Sequence, residues 1–98
     1  MSVTRVNPEY QPKGNYLAYT DYGQAAKNLN DITQNGVFTM LNPTNAPVAN
    51  KWVTVIALRF NNNAGYMFQV AFVLDSNTVH VRFRIGNTWQ AWKKVTMT

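Results

Sequence analysis

Trp52–Trp92 reads WVTVIALRF (52–60), NNNAG (61–65), YMFQVAFVL (66–74), DSNT (75–78), VHVRFRI (79–85), GNT (86–88) and WQAW (89–92). Runs of alternating side chains are separated by short breaks rich in Asn, Gly and Asp. A period of two marks strands, and such breaks mark tight turns. The stretch therefore spells an antiparallel β-meander. Gly86-Asn87 suits a two-residue type II′ hairpin with Gly first, and 89–95 continues as a further strand.

Pairing geometry tests this reading. Folding about the 61–65 loop sets Phe60 with Tyr66, Leu58 with Phe68, Ile56 with Val70 and Trp52 with Leu74. Folding about 75–78 sets Leu74 against Val79, Phe72 against Val81, Val70 against Phe83 and Phe68 against Ile85. The two hairpins place apolar residues on the same face, with Thr54 the polar exception. A slip of one residue would turn that face to water, so the register is well specified. This face, with Ile56, Leu58, Phe68, Val70, Phe72, Val81 and Phe83, is the expected core. The opposite face carries Val53, Val55, Ala57, Ala71 and Val73, flanked by Arg59, Gln69, His80, Arg82 and Arg84. It too is partly apolar, so the N-terminal arm or a neighbouring subunit is expected to cover it.

Outward from the meander, Gly36–Leu41 (GVFTML) forms a first strand after the Asn35-Gly36 turn signal, with Leu29 and Ile32 as anchors. The connection over 42–50 holds Pro43 and Pro47, which keep it from pairing as a central strand. It reads as a crossover or as one rim of a binding surface. Residues 1–24 show no clean period and are broken by Pro8, Pro12, Gly14 and Gly23. They read as an irregular arm, in which Asp21 is placed to cap a short helical turn over 22–28. The expected organisation is an arm over 1–28 and an all-β domain of about five strands over 29–98.

Composition narrows function. The chain has 98 residues, a net charge of +5, no cysteine and one histidine. It is short enough to be marginally stable alone, so self-association is the remaining way to bury more surface. Disulfides and cysteine or His-rich metal sites are excluded, and no metal or other cofactor is expected. No apolar run is long enough for a membrane helix, and MSVTRVNPEY lacks the apolar stretch of a signal peptide. The acidic residues Glu9, Asp21, Asp31 and Asp75 lie in turns or irregular segments, with no convergent pair for glycoside hydrolysis. Ser76 and His80 face each other locally across a turn, which does not make a nucleophile site. The chain reads as non-enzymatic.

Several groups remain for binding. Asn61, Asn62, Asn63 and Tyr66 make a polar loop tip beside an aromatic ring. His80, Arg82 and Arg84 form a basic stripe suited to anionic groups, with Arg84 opposite Trp89 in the hairpin register, where a cation–π contact is expected. Trp52 and Trp92, the latter opposite Val81, fall on the apolar face, whereas Trp89 falls on the mixed face and is the best placed for a sugar contact. The basic and aromatic residues of VHVRFRIGNTWQAWKK also suggest a single-stranded nucleic-acid binder. Against it, Val81 and Phe83 point away from the arginines, and no nucleic-acid partner is expected.

Leu29-Asn30-Asp31-Ile32, Asn35-Gly36-Val37-Phe38, Asn45-Ala46-Pro47, Val55–Arg59, Tyr66–Phe72, Val81–Arg84 and the ending Thr88-Trp89-Gln90-Ala91-Trp92-Lys93-Lys94-Val95 share a pattern. Over about 29–95 the chain resembles the pyocin-knob type module of phage tail fibres and R-type bacteriocin fibres. The Trp89/Trp92 ending is the most specific piece. The resemblance implies an all-β module of a trimeric fibre, outside the cell on the virion. It implies adhesion to bacterial surface glycan, usually lipopolysaccharide, without catalysis or membrane insertion. The contact residues then expected are Asn61, Asn62, Asn63, Tyr66, His80, Arg82, Arg84 and Trp89. A purely structural module of fibre assembly is the alternative. The chain is either a cut-out domain of a longer fibre or a short separate product.

Overall fold

The computed structural model describes residues 19–23 and 27–96. It is a seven-stranded sheet whose path runs β1 (Tyr19–Gly23), β2 (Gly36–Leu41), β3 (Trp52–Phe60), β4 (Asn63–Val73), β5 (Thr78–Ile85) and β6 (Thr88–Trp89). The short β7 (Lys93–Lys94) also pairs with β5. The all-β meander read from the sequence is present, and Leu29–Asp31 adds one 3₁₀ turn capped by the Asn28 side chain.

Within the expected arm, the described stretch Tyr19–Gly23 is a strand. Tyr19–Gly23 pairs in parallel with β2, with Thr20 opposite Phe38. Asp21 therefore sits in a strand rather than capping a helix; residues 24–26 and 1–18 lie outside the described residues. The expected last strand over 89–95 is broken into β6 and β7.

Two hairpins refine the pairing. From Val53↔Val73 to Leu58↔Phe68, β3 and β4 pair as expected. Beyond Arg59↔Met67 the ladder jumps to Phe60↔Asn63, so a two-residue turn, Asn61-Asn62, replaces the five-residue loop. Both turn residues have positive φ (51° and 56°), the type I′ geometry that asparagine tolerates. Ala64, Gly65 and Tyr66 are left over as a bulge. Across β4–β5 the observed pairs are Phe72↔Val79, Val70↔Val81 and Phe68↔Phe83. That is two residues from the expected register, because the chain turns at Leu74–Asn77 one residue sooner on each side. A shift of two preserves which face each side chain takes. Gly86 and Asn87 also both have positive φ (57° and 68°), so this turn is type I′ rather than type II′.

The interior is the face not expected to be the core. Met40, Val53, Val55, Ala57, Met67, Ala71 and Val73 are buried with Phe38, Leu29 and Ile32. Ile56, Leu58, Phe68, Val70 and Val81 are only half-buried, and Phe72 and Phe83 are exposed. Among the described residues, the 29–32 segment, Ala46 and Val48 of the 42–51 loop, Trp89 and Trp92 cover the small-residue face. Small side chains let these segments approach the sheet closely. Loops also bring backbone carbonyls that must find donors when buried. Gln69 Nε2 is such a donor, bonding the carbonyls of Leu29 (2.8 Å) and Ile32 (3.3 Å). On the larger apolar face the Thr39 and Thr54 hydroxyls bond each other, and Phe72 and Phe83 stay exposed.

Candidate functional site

Three regions carry the side chains singled out by sequence. The first is a buried basic–aromatic stack on the covered face. Arg82 lies in the row Ala57–Gln69–Arg82. Its Nε donates to Gln69 Oε1 at 2.9 Å. Its guanidinium lies 4.1 Å from the Trp89 ring centre and 4.5 Å from that of Trp92. The indole nitrogens are tied down in turn: Trp89 Nε1 donates to the Asn30 carbonyl (3.1 Å) and Trp92 Nε1 to the Asn45 carbonyl (2.8 Å). Burial pushes the Arg82 pKa down to about 10, which leaves it charged at neutral pH. The two indole faces and the Gln69 bond offset part of its cost, while the buried Nη2 has no hydrogen-bond partner among the described residues.

This corrects the solvated basic stripe. Arg82 is 5 % exposed and His80 8 %. His80 Nε2 lies 3.0 Å from Thr78 Oγ1, so its partner is Thr78 rather than Ser76. Desolvation lowers its pKa, and Lys94 opposite adds to the effect. Arg84 does face Trp89, at 5.6 Å from the ring, as the hairpin register requires. Trp92 is not opposite Val81; Lys93 takes that place, and Trp92 lies over Arg82. Trp52 is half-buried on the open face rather than in the core. Arg82, Arg84, Trp89 and Trp92 thus act on one another.

The second region is the polar tip. Asn61, Asn62, Asn63 and Tyr66 are all exposed. The bulge behind them is anchored: Arg84 Nη1 donates to the Ala64 carbonyl (2.9 Å), and the Gly65 N–H donates to Asn63 Oδ1 (2.9 Å). The Asn87 N–H donates to the Gly65 carbonyl (3.0 Å), which brings the Gly86-Asn87 turn alongside. A Cβ on Gly65 would stand 2.8 Å from Asn87 Oδ1, so glycine permits this close approach. Asn87 is the tip residue that sequence reading missed. The signal was present as a second Asn-containing turn, but its proximity depends on the bulge.

The third region is the open face. Phe60, Phe68 and Phe83 form a ring cluster with centres 5.7–6.4 Å apart. At the other end a shallow groove of about 500 Å³ lies among Thr39, Trp52, Thr54, Phe72, Leu74 and Val79. The Thr39 and Thr54 hydroxyls meet in it at 2.9 Å. Among the described residues no three His, Cys, Asp or Glu side chains gather as a metal site would require. Among them also, no helix is long and apolar enough to cross a membrane.

A one-sided antiparallel sheet closed by loops and a tryptophan pair defines the class of module. Its fold is similar to part of the R2 pyocin fibre of P. aeruginosa: TM-score 0.69, 16 % identity, covering 86 % of this chain and 24 % of that one. The R1 pyocin fibre of P. aeruginosa matches with TM-score 0.65 and 17 % identity, over 80 % of this chain and 21 % of that one. An N-truncated R2-type pyocin tail fibre matches with TM-score 0.66 and 15 % identity, over 80 % and 32 %. The pyocin-fibre-like module read from the sequence is therefore present as a fold. The chain spans 21–32 % of the length of these fibre chains. No family model matches the sequence, and no curated protein matches it.

Proposed function

We propose that this chain is a non-enzymatic knob module of a phage or bacteriocin tail fibre. It works as a homotrimer on the extracellular side of the particle and contacts bacterial surface glycan of the lipopolysaccharide type. The fold likeness to R-type pyocin fibres over 80–86 % of the chain carries this reading. The polar tip supports the glycan part of it. Asparagine amides both donate and accept, which suits sugar hydroxyls, and the exposed Tyr66 ring offers an apolar platform beside them. Asn61, Asn62, Asn63 and Tyr66 are the contact residues in this reading, joined by Asn87. Arg84 and Trp89 brace the loop from behind, whereas burial withdraws His80 and Arg82 from contact.

The test is adsorption of the isolated chain to whole cells and to purified lipopolysaccharide. Binding that falls at least about tenfold in Asn62→Ala with Tyr66→Ala is expected. No binding to any bacterial surface glycan, or binding indifferent to both substitutions, would remove the glycan reading. The second reading, a structural module of fibre assembly, is favoured by the open apolar face.

A further inference from the structure

We propose that the open face of the sheet is the surface through which copies of this chain assemble. It deepens the homotrimer reading by naming the face, and it stands whether or not the tip binds glycan.

Charge is the first support. Along β2–β5, alternate positions run through Thr39–Thr54–Phe72–Val79, Val37–Ile56–Val70–Val81 and Leu58–Phe68–Phe83. None of these positions is Lys, Arg, Asp or Glu. Charged positions come only at the ends of these rows, with Asp21 opposite Thr39 and Lys93 opposite Val81. The uncharged centre suits a second copy of the same apolar face, which needs no charge to match it.

Area is the second. Phe60, Phe72, Leu74, Phe83 and Ile85 are 43–61 % exposed. Together they present on the order of 500 Å², already as large as the biggest apolar patch of an ordinary monomer. The half-buried residues between them bring the face to roughly the 800 Å² per partner that a stable interface uses. The groove beside Trp52 and Phe72 is a socket for a partner's side chain.

The surroundings are the third. Asp75 and Asn77 stand at one end and Asn61–Asn63 at the other, all exposed. An apolar centre with a polar rim is the anatomy of a protein interface. Burial there would also add to a small core, since the described residues cover only one side of the sheet.

The experiment is the mass of the full 98-residue chain by sedimentation equilibrium, from low micromolar to submillimolar concentration. A closed oligomer is expected. Phe72→Lys with Phe83→Lys should give a monomer, with association weakened at least about a hundredfold. Both positions are exposed in the single chain, so circular dichroism should show its strand content retained. Gln34→Lys, exposed outside this face, should leave the mass unchanged. A monomeric wild-type chain overturns the proposal, as does an oligomer that keeps its mass in the double Lys variant. A trimer that ignores glycan supports the face and removes the glycan reading. A dimer supports the face and removes the fibre trimer.

Discussion

The two faces of this sheet differ in the size and polarity of their side chains, and burial follows the opposite order from hydrophobicity. The covered face is made of Val, Ala and Met with Gln69, His80 and Arg82 among them. The open face is mostly Phe, Ile, Leu and Val, with Trp52 and the paired hydroxyls of Thr39 and Thr54. Loops whose buried carbonyls need donors find a poor bed on a bulky, mainly apolar surface. They can lie on small side chains interspersed with a buried amide, as the bonds from Gln69 to Leu29 and Ile32 illustrate. The bulky face is left for a surface as regular as itself.

Substitutions can break this comparison. The largest effect is expected inside the covered face, where Met67 is fully buried. Met67→Ala should cost about 2–5 kcal/mol in denaturant unfolding. Phe72→Ala should cost about 1 kcal/mol, in proportion to its partial burial. The reverse order would mean that the faces are assigned the wrong way round. Next is Gln69→Leu, which fills the same space but removes two bonds to loop carbonyls and one from the Arg82 guanidinium. A loss of about 3 kcal/mol is expected. If the chain keeps its stability, the polar docking account fails.

The smallest effect is a pH dependence. His80 has its pKa lowered in the folded chain from an ordinary 6.5. As pH falls through that value the unfolded chain takes up a proton that the folded chain resists, so stability declines. His80 is the sole histidine, which makes the window between pH 7.5 and 5.5 its own among the side chains. Thermal melting should fall across that window and flatten in His80→Gln. A flat wild-type profile would show that His80 protonates freely on the covered face.

Part of the candidate site was legible in the sequence. Asn61-Asn62-Asn63 reads as a turn in any context, and its exposure follows. The Arg84–Trp89 contact follows from a hairpin register fixed by Gly86-Asn87. Arg82 and His80 were legible as residues on one face, but their burial was not. That burial depends on Trp92, which reaches Arg82 only because the chain breaks between β6 and β7. Gln69 gave a fainter signal as a polar residue sharing the parity of Arg82, and its two acceptors lie 40 and 37 residues away in sequence.

Alternation along 52–85 by itself determined the three long strands, their meander order and the face taken by the side chains paired across them. Those properties depend on neighbours one and two positions apart and on local turns, and a register error of two residues leaves them intact. Which face becomes interior was decided only by the tertiary structure. It depends on where the 29–32 segment, the 42–51 loop and the two closing tryptophans come to rest. Their choice is governed by close approach and by donors for buried carbonyls, neither of which the hydrophobic period encodes.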